Sequence, residues 1–343
     1  MTLLTPGVSF FGQTQAQTKR LGDLNNTLAD LTRQMTTQKK YTTFSGFGTN
    51  SLNIQRLHMD KTLTDSYLTN LNTVSLRMNL MTDSLTRGAN AGRDLLNSLT
   101  TGQTGDANDV QVMKQVAANN IVLMKDYVNQ QTDGRYLFSG DATTTKPLSE
   151  SAIDTATLKI QGMFSDWQNG TITTAQLMTQ MDSLTPEDLG FDPQLSSAGP
   201  VSARIDDGFN MDYTSIASKN GFQDVFKAMM LAANFDQPDP AASPPGPTQD
   251  DYEQVKTAIV NLTSKGIKET DQSGAALSTS YAYVQTSIDN HTSDAGLYAN
   301  MIGGLEDADT TDVVARIQTL QTQLQASYQV TGIVSQLSLV NYL

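Results

Sequence analysis

The sequence predicts a mainly α protein: a long antiparallel coiled-coil or helical bundle formed by both chain ends, carrying a small mixed α/β insertion domain. Three observations carry this expectation. Apolar residues recur at helical spacing near both termini, and long segments between them keep the same four-three alternation. From about 135 to 220 that period gives way to strand and turn signals.

The first 18 residues are polar and broken by Pro6-Gly7, which predicts a segment that is flexible in the free chain. A helix over Gln17 to Lys39 follows, with Leu21, Leu24, Leu28, Leu31 and Met35 spaced three, four, three, four as a heptad seam. Residues 1–45 thus form an N-terminal assembly helix. The stretch Tyr41 to Asn50, rich in Gly and Thr with three aromatics, predicts a folded connector. Bundle helices then occupy 46–134. One runs from Ser51 to Leu99 on Tyr67, Leu71, Val74, Met78, Met81 and Leu85, bent near Gly88 and Gly92. After a turn over Thr100 to Ala107, with Asp106 or Asn108 as cap, the next carries Val110, Met113, Ala117, Asn120, Met124 and Tyr127. Asp133-Gly134 is its expected stop.

The insertion, 135–220, opens on a short strand at Arg135 to Phe138 and holds the single tryptophan, Trp167. A short helix is expected around Ala175 to Met181. Val201 to Ile205 and Asn210 to Tyr213 flank Asp206-Asp207-Gly208 as a hairpin. The return bundle, 221–305, starts with Phe222, Val225, Phe226, Met229, Met230 and Ala233 on one side of a helix. Five prolines between Pro238 and Pro247 mark a surface loop. Tyr252, Val255, Ile259 and Leu262 open the next helix, interrupted at Gly266 or Gly274 and resuming from Leu277 through His291 to Ile302. Gly303-Gly304 is the expected break before the C-terminal assembly helix, 306–343. There Val313, Ile317, Leu320 and Leu324 stack on one stripe among Gln, Thr and Ser, and Ile333, Leu337, Leu339 and Leu343 continue it. Such a stripe needs a partner, and the seam from Leu21 to Met35 is the natural one, within the molecule or from a neighbour.

Charge and composition exclude several function classes. A formal charge of -13 on 343 residues opposes binding to nucleic acid or an anionic membrane surface. With no cysteine, thiolate catalysis and thiolate metal sites are excluded. The first residues lack a basic n-region and an apolar h-region, so no cleaved secretory signal is expected. The two histidines, His58 and His291, lie far apart, and His291 on a seam reads as a packing or hydrogen-bonded residue. The acidic group Glu306, Asp307, Asp309 and Asp312 precedes a helix, where Asp309 or Thr310 caps and negative charge offsets the dipole. No nucleotide, nucleophile-elbow or zinc motif occurs. The expectation is a protein that is not an enzyme and has no cofactor or metal. What remains is an interaction surface.

The closing run Leu324-Gln325-Ala326-Ser327-Tyr328-Gln329-Val330-Thr331-Gly332-Ile333-Val334-Ser335-Gln336-Leu337-Ser338-Leu339-Val340-Asn341-Tyr342-Leu343 resembles the C-terminus of the flagellin superfamily. Together with Gly134-Arg135-Tyr136-Leu137-Phe138-Ser139-Gly140 it is most similar to the flagellin-like hook-associated proteins of the hook-filament junction. The resemblance covers roughly 1–140 and 220–343. It implies a structural subunit of the bacterial flagellum whose terminal helices pack with neighbouring subunits. It also implies export by the flagellar type III apparatus to an extracellular site. The implied partners are further copies in a ring or helical layer, an adjacent hook-associated protein, flagellin and an export chaperone. Thr37 to Gly48 differs from the stretch that follows the first helix in most flagellins. A divergent flagellin forming the filament itself is the alternative.

Overall fold

The computed structural model describes residues 10–101, 107–219, 221–237 and 246–340. The expected cap Asp106, most of the Pro-rich loop and Leu343 lie outside the described residues. The fold is mainly α, a helical bundle with a small insertion. Its elements are α1 (Phe10–Thr37), α2 (Ser51–Thr101), α3 (Ala107–Val128), β1 (Gln131–Thr132), β2 (Arg135–Tyr136), α4 (Glu150–Gln168) and α5 (Thr174–Ser183), followed by α6 (Gln194–Ser197), β3 (Ser202–Asp206), β4 (Phe209–Asp212), α7 (Gly221–Ala233), α8 (Gln249–Glu306) and α9 (Thr310–Val340). Two compact units divide the chain. One comprises 1–65 and 292–343, the other 66–291, so both boundaries cut through helices α2 and α8 instead of falling in loops.

The 66–291 unit holds the larger core. Tyr67, Leu71, Val74, Met78, Met81 and Leu85 on α2 are buried with Val110, Met113, Ala117 and Met124 on α3 and with nearly the whole of α7. Glycines that read as bends or breaks in sequence prove to be points of close approach within unbroken helices. A Cβ on Gly88 would meet the Phe222 ring at 2.1 Å, and one on Gly92 would meet Ile267 at 2.8 Å. A Cβ on Gly266 would lie 2.6 Å from Val225 N and one on Gly221 2.2 Å from Thr270 N, so α7 and α8 approach backbone to backbone. The cost of glycine in a helix interior, about 1 kcal/mol relative to alanine, is offset by this packing. Helix α8 accordingly runs through Gly266, Gly274 and Gly303-Gly304 to Glu306.

The insertion is more helical than the sequence pattern suggested. The Ser149 hydroxyl accepts from Ala152 N and starts α4, which buries Ile153, Ala156, Ile160, Met163, Phe164 and Trp167. The Thr173–Gln176 capping box starts α5. Helix α3 stops at Val128, short of Asp133-Gly134. Those two residues instead take left-handed φ values of 52° and 72° and turn β1 into β2, as a tight Asp-Gly hairpin requires. The second hairpin pairs Ala203 with Met211 and Arg204 with Asn210, with a register shift between Arg204 and Asp206.

His291 anchors that hairpin. Its Nε2 donates to the Ile205 carbonyl at 2.9 Å, and its ring stacks on Tyr67 with centroids 5.1 Å apart. Arg204 lies 5.8 Å over the Tyr67 ring. The histidine is thus buried and hydrogen-bonded.

Lys227 is the buried cation of α7. Its Nζ donates to the carbonyls of Asp182 and Leu184 at 3.2 and 3.4 Å, at the C-terminal end of α5. Burial holds its ammonium below the usual lysine range. Because the folded-state pKa is depressed, folding carries the full cost of burying the charge below that value and sheds it as pH rises to 10.5, the unfolded value. In urea denaturation, wild type should therefore gain stability relative to K227M as pH approaches 10.5. A difference that stays constant with pH would contradict this.

Candidate assembly interface

The terminal helices meet within the 1–65 and 292–343 unit, where α1 and α9 pack against each other. Leu31, Val313 and Leu320 form its buried cluster, with Leu24, Ala308 and Ile317 packed on them, and Leu324 is buried one turn further on. Leu21 and Leu28 are half-buried. The helices run antiparallel, with Asn25 Nδ2 reaching Tyr328 Oη at 3.4 Å towards the far end.

Two expected seam residues sit differently. Met35 is 47% exposed, because it lies one turn beyond Leu31, which already packs with Val313 near the start of α9. Ile333 is 58% exposed and shares that state with Tyr328 and Val330. The side chains of Leu337 and Leu339, like Leu343, fall outside the described part of the chain. Beside the exposed run lies a groove of about 250 Å³ lined by Gln17, Arg20, Leu21, Ala326, Ser327, Val330 and Thr331. Beyond Leu324, then, one face of α9 leaves apolar surface that α1 does not cover.

The corner that aligns the two helices is polar. Gln38 takes a left-handed φ of 57° and ends α1, which frees Lys39 to bridge Asp307 as a short antiparallel pair. Lys40 N donates to Glu306 O at 2.8 Å and Ala308 N to Gln38 O at 2.9 Å. Glu306, 8% exposed, receives His58 Nε2 at 2.8 Å and Lys39 Nζ at 3.2 Å. Lys39 also pairs with Asp307 at 2.6 Å, which raises its pKa above the ordinary lysine value. Thr43 to Asn50 folds tightly here. Tyr41 and Phe47 pack edge to face at 5.1 Å, and a Cβ on Gly46 would strike the Tyr41 ring. The role of Glu306 was missed in sequence, since its partners lie 248 and 267 positions away. The one available signal was a Lys39-Lys40 break matching an acidic break at Glu306-Asp307.

Asp309 caps α9, its Oδ1 accepting from Thr311 N at 2.9 Å and Asp312 N at 3.2 Å. Asp309→Ala should cost about 1 kcal/mol, read as a lower melting point of the helices it joins. An unchanged melt would argue that the cap is idle. Among the described residues no group of three or more His, Cys, Asp or Glu is placed to hold a metal ion, and no helix is long and apolar enough to cross a membrane.

Residues 260–343, which take in most of α8 and all of α9, match the bacterial flagellin C-terminal helical region. No curated protein matches the chain in sequence. Among solved structures, a Vibrio parahaemolyticus protein assigned to the flagellar hook-associated class shares the fold at a TM-score of 0.54. It is 12% identical, with 76% of this chain and 100% of that one covered. Bacillus cereus FlgL is also 12% identical over 76% of this chain and 96% of its own, at a TM-score of 0.33, too low to carry weight. Residues 260–343 are thus similar to the bacterial flagellin C-terminal helical region, and the fold is shared with the Vibrio parahaemolyticus protein.

Proposed function

We propose that this chain is a structural, non-enzymatic subunit of the bacterial flagellum that joins hook to filament. The observation that carries the reading is the exposed run Tyr328, Val330 and Ile333 on a helix matched to the flagellin C-terminal region. Exposed apolar side chains at one end of an otherwise paired helix mark a surface that a neighbouring helix covers. The seam assigned to assembly is Leu21, Leu24, Leu28, Leu31, Met35, Ile317, Leu320, Leu324, Ile333, Leu337, Leu339 and Leu343. Copies of the chain would stack in a ring or helical layer between an adjacent hook-associated protein and flagellin. They would arrive outside the cell through the flagellar type III apparatus with an export chaperone. The match to the flagellin C-terminal region equally suits a divergent flagellin that builds the filament itself.

Labelling the epitope-tagged protein on intact flagella separates the two. A single focus where hook meets filament supports the junction role. Label along the whole filament supports the alternative, and label absent from flagella overturns both.

A further inference from the structure

Away from α1 and α9, the 1–65 and 292–343 unit carries two more exposed apolar stripes, one where α2 begins and one where α8 ends. Leu52, Met59 and Leu63 on α2 are all exposed, Met59 at 71%. At 100° per residue they fall within about 40° of one another, on the side of the helix turned away from the buried Ile54, Leu57 and Thr64. Leu297, 55% exposed, and Met301 form the other stripe, one turn apart on α8 and turned away from the buried Ile302 and Glu306. Single exposed apolar residues are ordinary on a protein surface, whereas stripes at helical spacing are the pattern of a helix with a second packing face.

The two stripes lie at the same height on opposite edges of one helix pair. His58 Nε2 meets Glu306 Oε1 at 2.8 Å, so α2 sets out from the corner at which α8 arrives, and both stripes lie within about three turns of that contact. Their charges are unlike. Arg56 sits between Leu52 and Met59, and Asp294 sits one turn before Leu297. Both are exposed and neither makes an ion pair among the described residues, whereas Lys61 is held by Asp65 at 2.7 Å and Arg316 by Asp312 at 2.8 Å.

We propose that these edges join copies of this chain side by side, the α2 stripe of Leu52, Met59 and Leu63 on one copy packing against the α8 stripe of Leu297 and Met301 on the next. A second copy fits because the chain itself carries both halves of the contact, apolar against apolar and basic edge against acidic edge. A contact between two α2 edges would set Arg56 against Arg56, so charge favours the unlike pairing. Such a head-to-tail contact leaves one edge of each kind free after every addition, and it therefore closes a ring or extends a helical layer. The contact rests on the reading of the chain as a flagellar subunit and adds a lateral surface to the one at the end of α9.

The test cross-links the full-length protein in isolated flagella with a short bismaleimide, which reacts only at introduced thiols because the chain has no cysteine. The M59C/L297C variant should run as a ladder of dimers, trimers and larger species. M59C alone and L297C alone should stay monomeric, and cells carrying these two single variants together should give dimers and nothing larger. Both positions are exposed, so neither substitution disturbs a packed core. Flagella that contain the double variant and yield no ladder would overturn the contact and leave the subunit reading standing. Dimers from either single variant on its own would mean that like edges meet, and would overturn it too. Absence of the protein from flagella would overturn the subunit reading and this contact with it.

Discussion

Replacing Leu320 and Leu324 together by alanine should abolish motility in the host bacterium while leaving the 66–291 unit folded. Both leucines are buried, at 8% and 6% exposure, and Leu320 belongs to the small cluster that holds α9 on α1. Each truncation of a buried leucine costs about 2–5 kcal/mol. The cluster has few other members and Leu324 lies buried one turn beyond it, so the two losses thin an already small apolar contact between a 28-residue and a 31-residue helix. Helices of that length are weakly stable without a packed face. The large core from Tyr67 to Val284 contains neither residue. Circular dichroism melts of the L320A/L324A protein should therefore keep the main transition and lose an earlier one, and swarming assays should read non-motile. Wild-type swarming would count against an assembly role for the seam.

The largest stability effect is expected at Trp167. Its ring, 1% exposed, meets Phe164 at 6.4 Å and Phe235 at 6.1 Å, and Phe235 stacks on Tyr252 at 4.5 Å. Its Nε1 donates to Thr174 Oγ1 at 3.1 Å, whose hydroxyl in turn donates to Asp251 Oδ1 at 2.6 Å near the start of α8. The same residue thus ties α4 to α5 and, through the aromatic stack, to α8. The Tyr252 phenol is buried enough for its pKa to be pushed up to about 12. Trp167→Ala should cost about 3–5 kcal/mol, seen as a lower midpoint in urea denaturation. Trp167→Phe should recover much of that loss, since it keeps a ring and forfeits the hydrogen bond. A loss below about 1 kcal/mol for the alanine variant would mean the aromatic cluster collapses around the gap.

The bundle was legible in sequence because its signal is local. The four-three spacing from Tyr67 to Leu85 and from Val313 to Leu324 identifies the buried stripe without any knowledge of its partner. Glycine misled for the complementary reason. Gly88, Gly92 and Gly266 are required by another helix's ring, side chain or backbone, a long-range fact that a local reading turns into a bend or break. Helix α4 was readable in principle, since Ile153, Ala156, Ile160, Met163 and Trp167 keep helical spacing, but the Ser and Thr around them obscured it. At the interface, the apolar stripe was visible, while the polar corner at Glu306 was not. His58 on α2 and Lys39 just past α1 reach it at the end of α8 only once the chain has folded back on itself. The exposure of Met35 likewise depends on where α9 begins, which the heptad pattern of α1 does not contain.

The most direct measurement is thiol labelling of I333C, which the chain's lack of native cysteine makes unambiguous. Ile333 is exposed in the single chain, so the purified variant should label readily. In assembled flagella the same thiol should label roughly tenfold or more slowly, because a neighbouring helix covers it, while L158C, at the exposed Leu158 on α4, keeps reacting. Equal labelling of I333C in the free and assembled states would contradict a subunit contact at the end of α9.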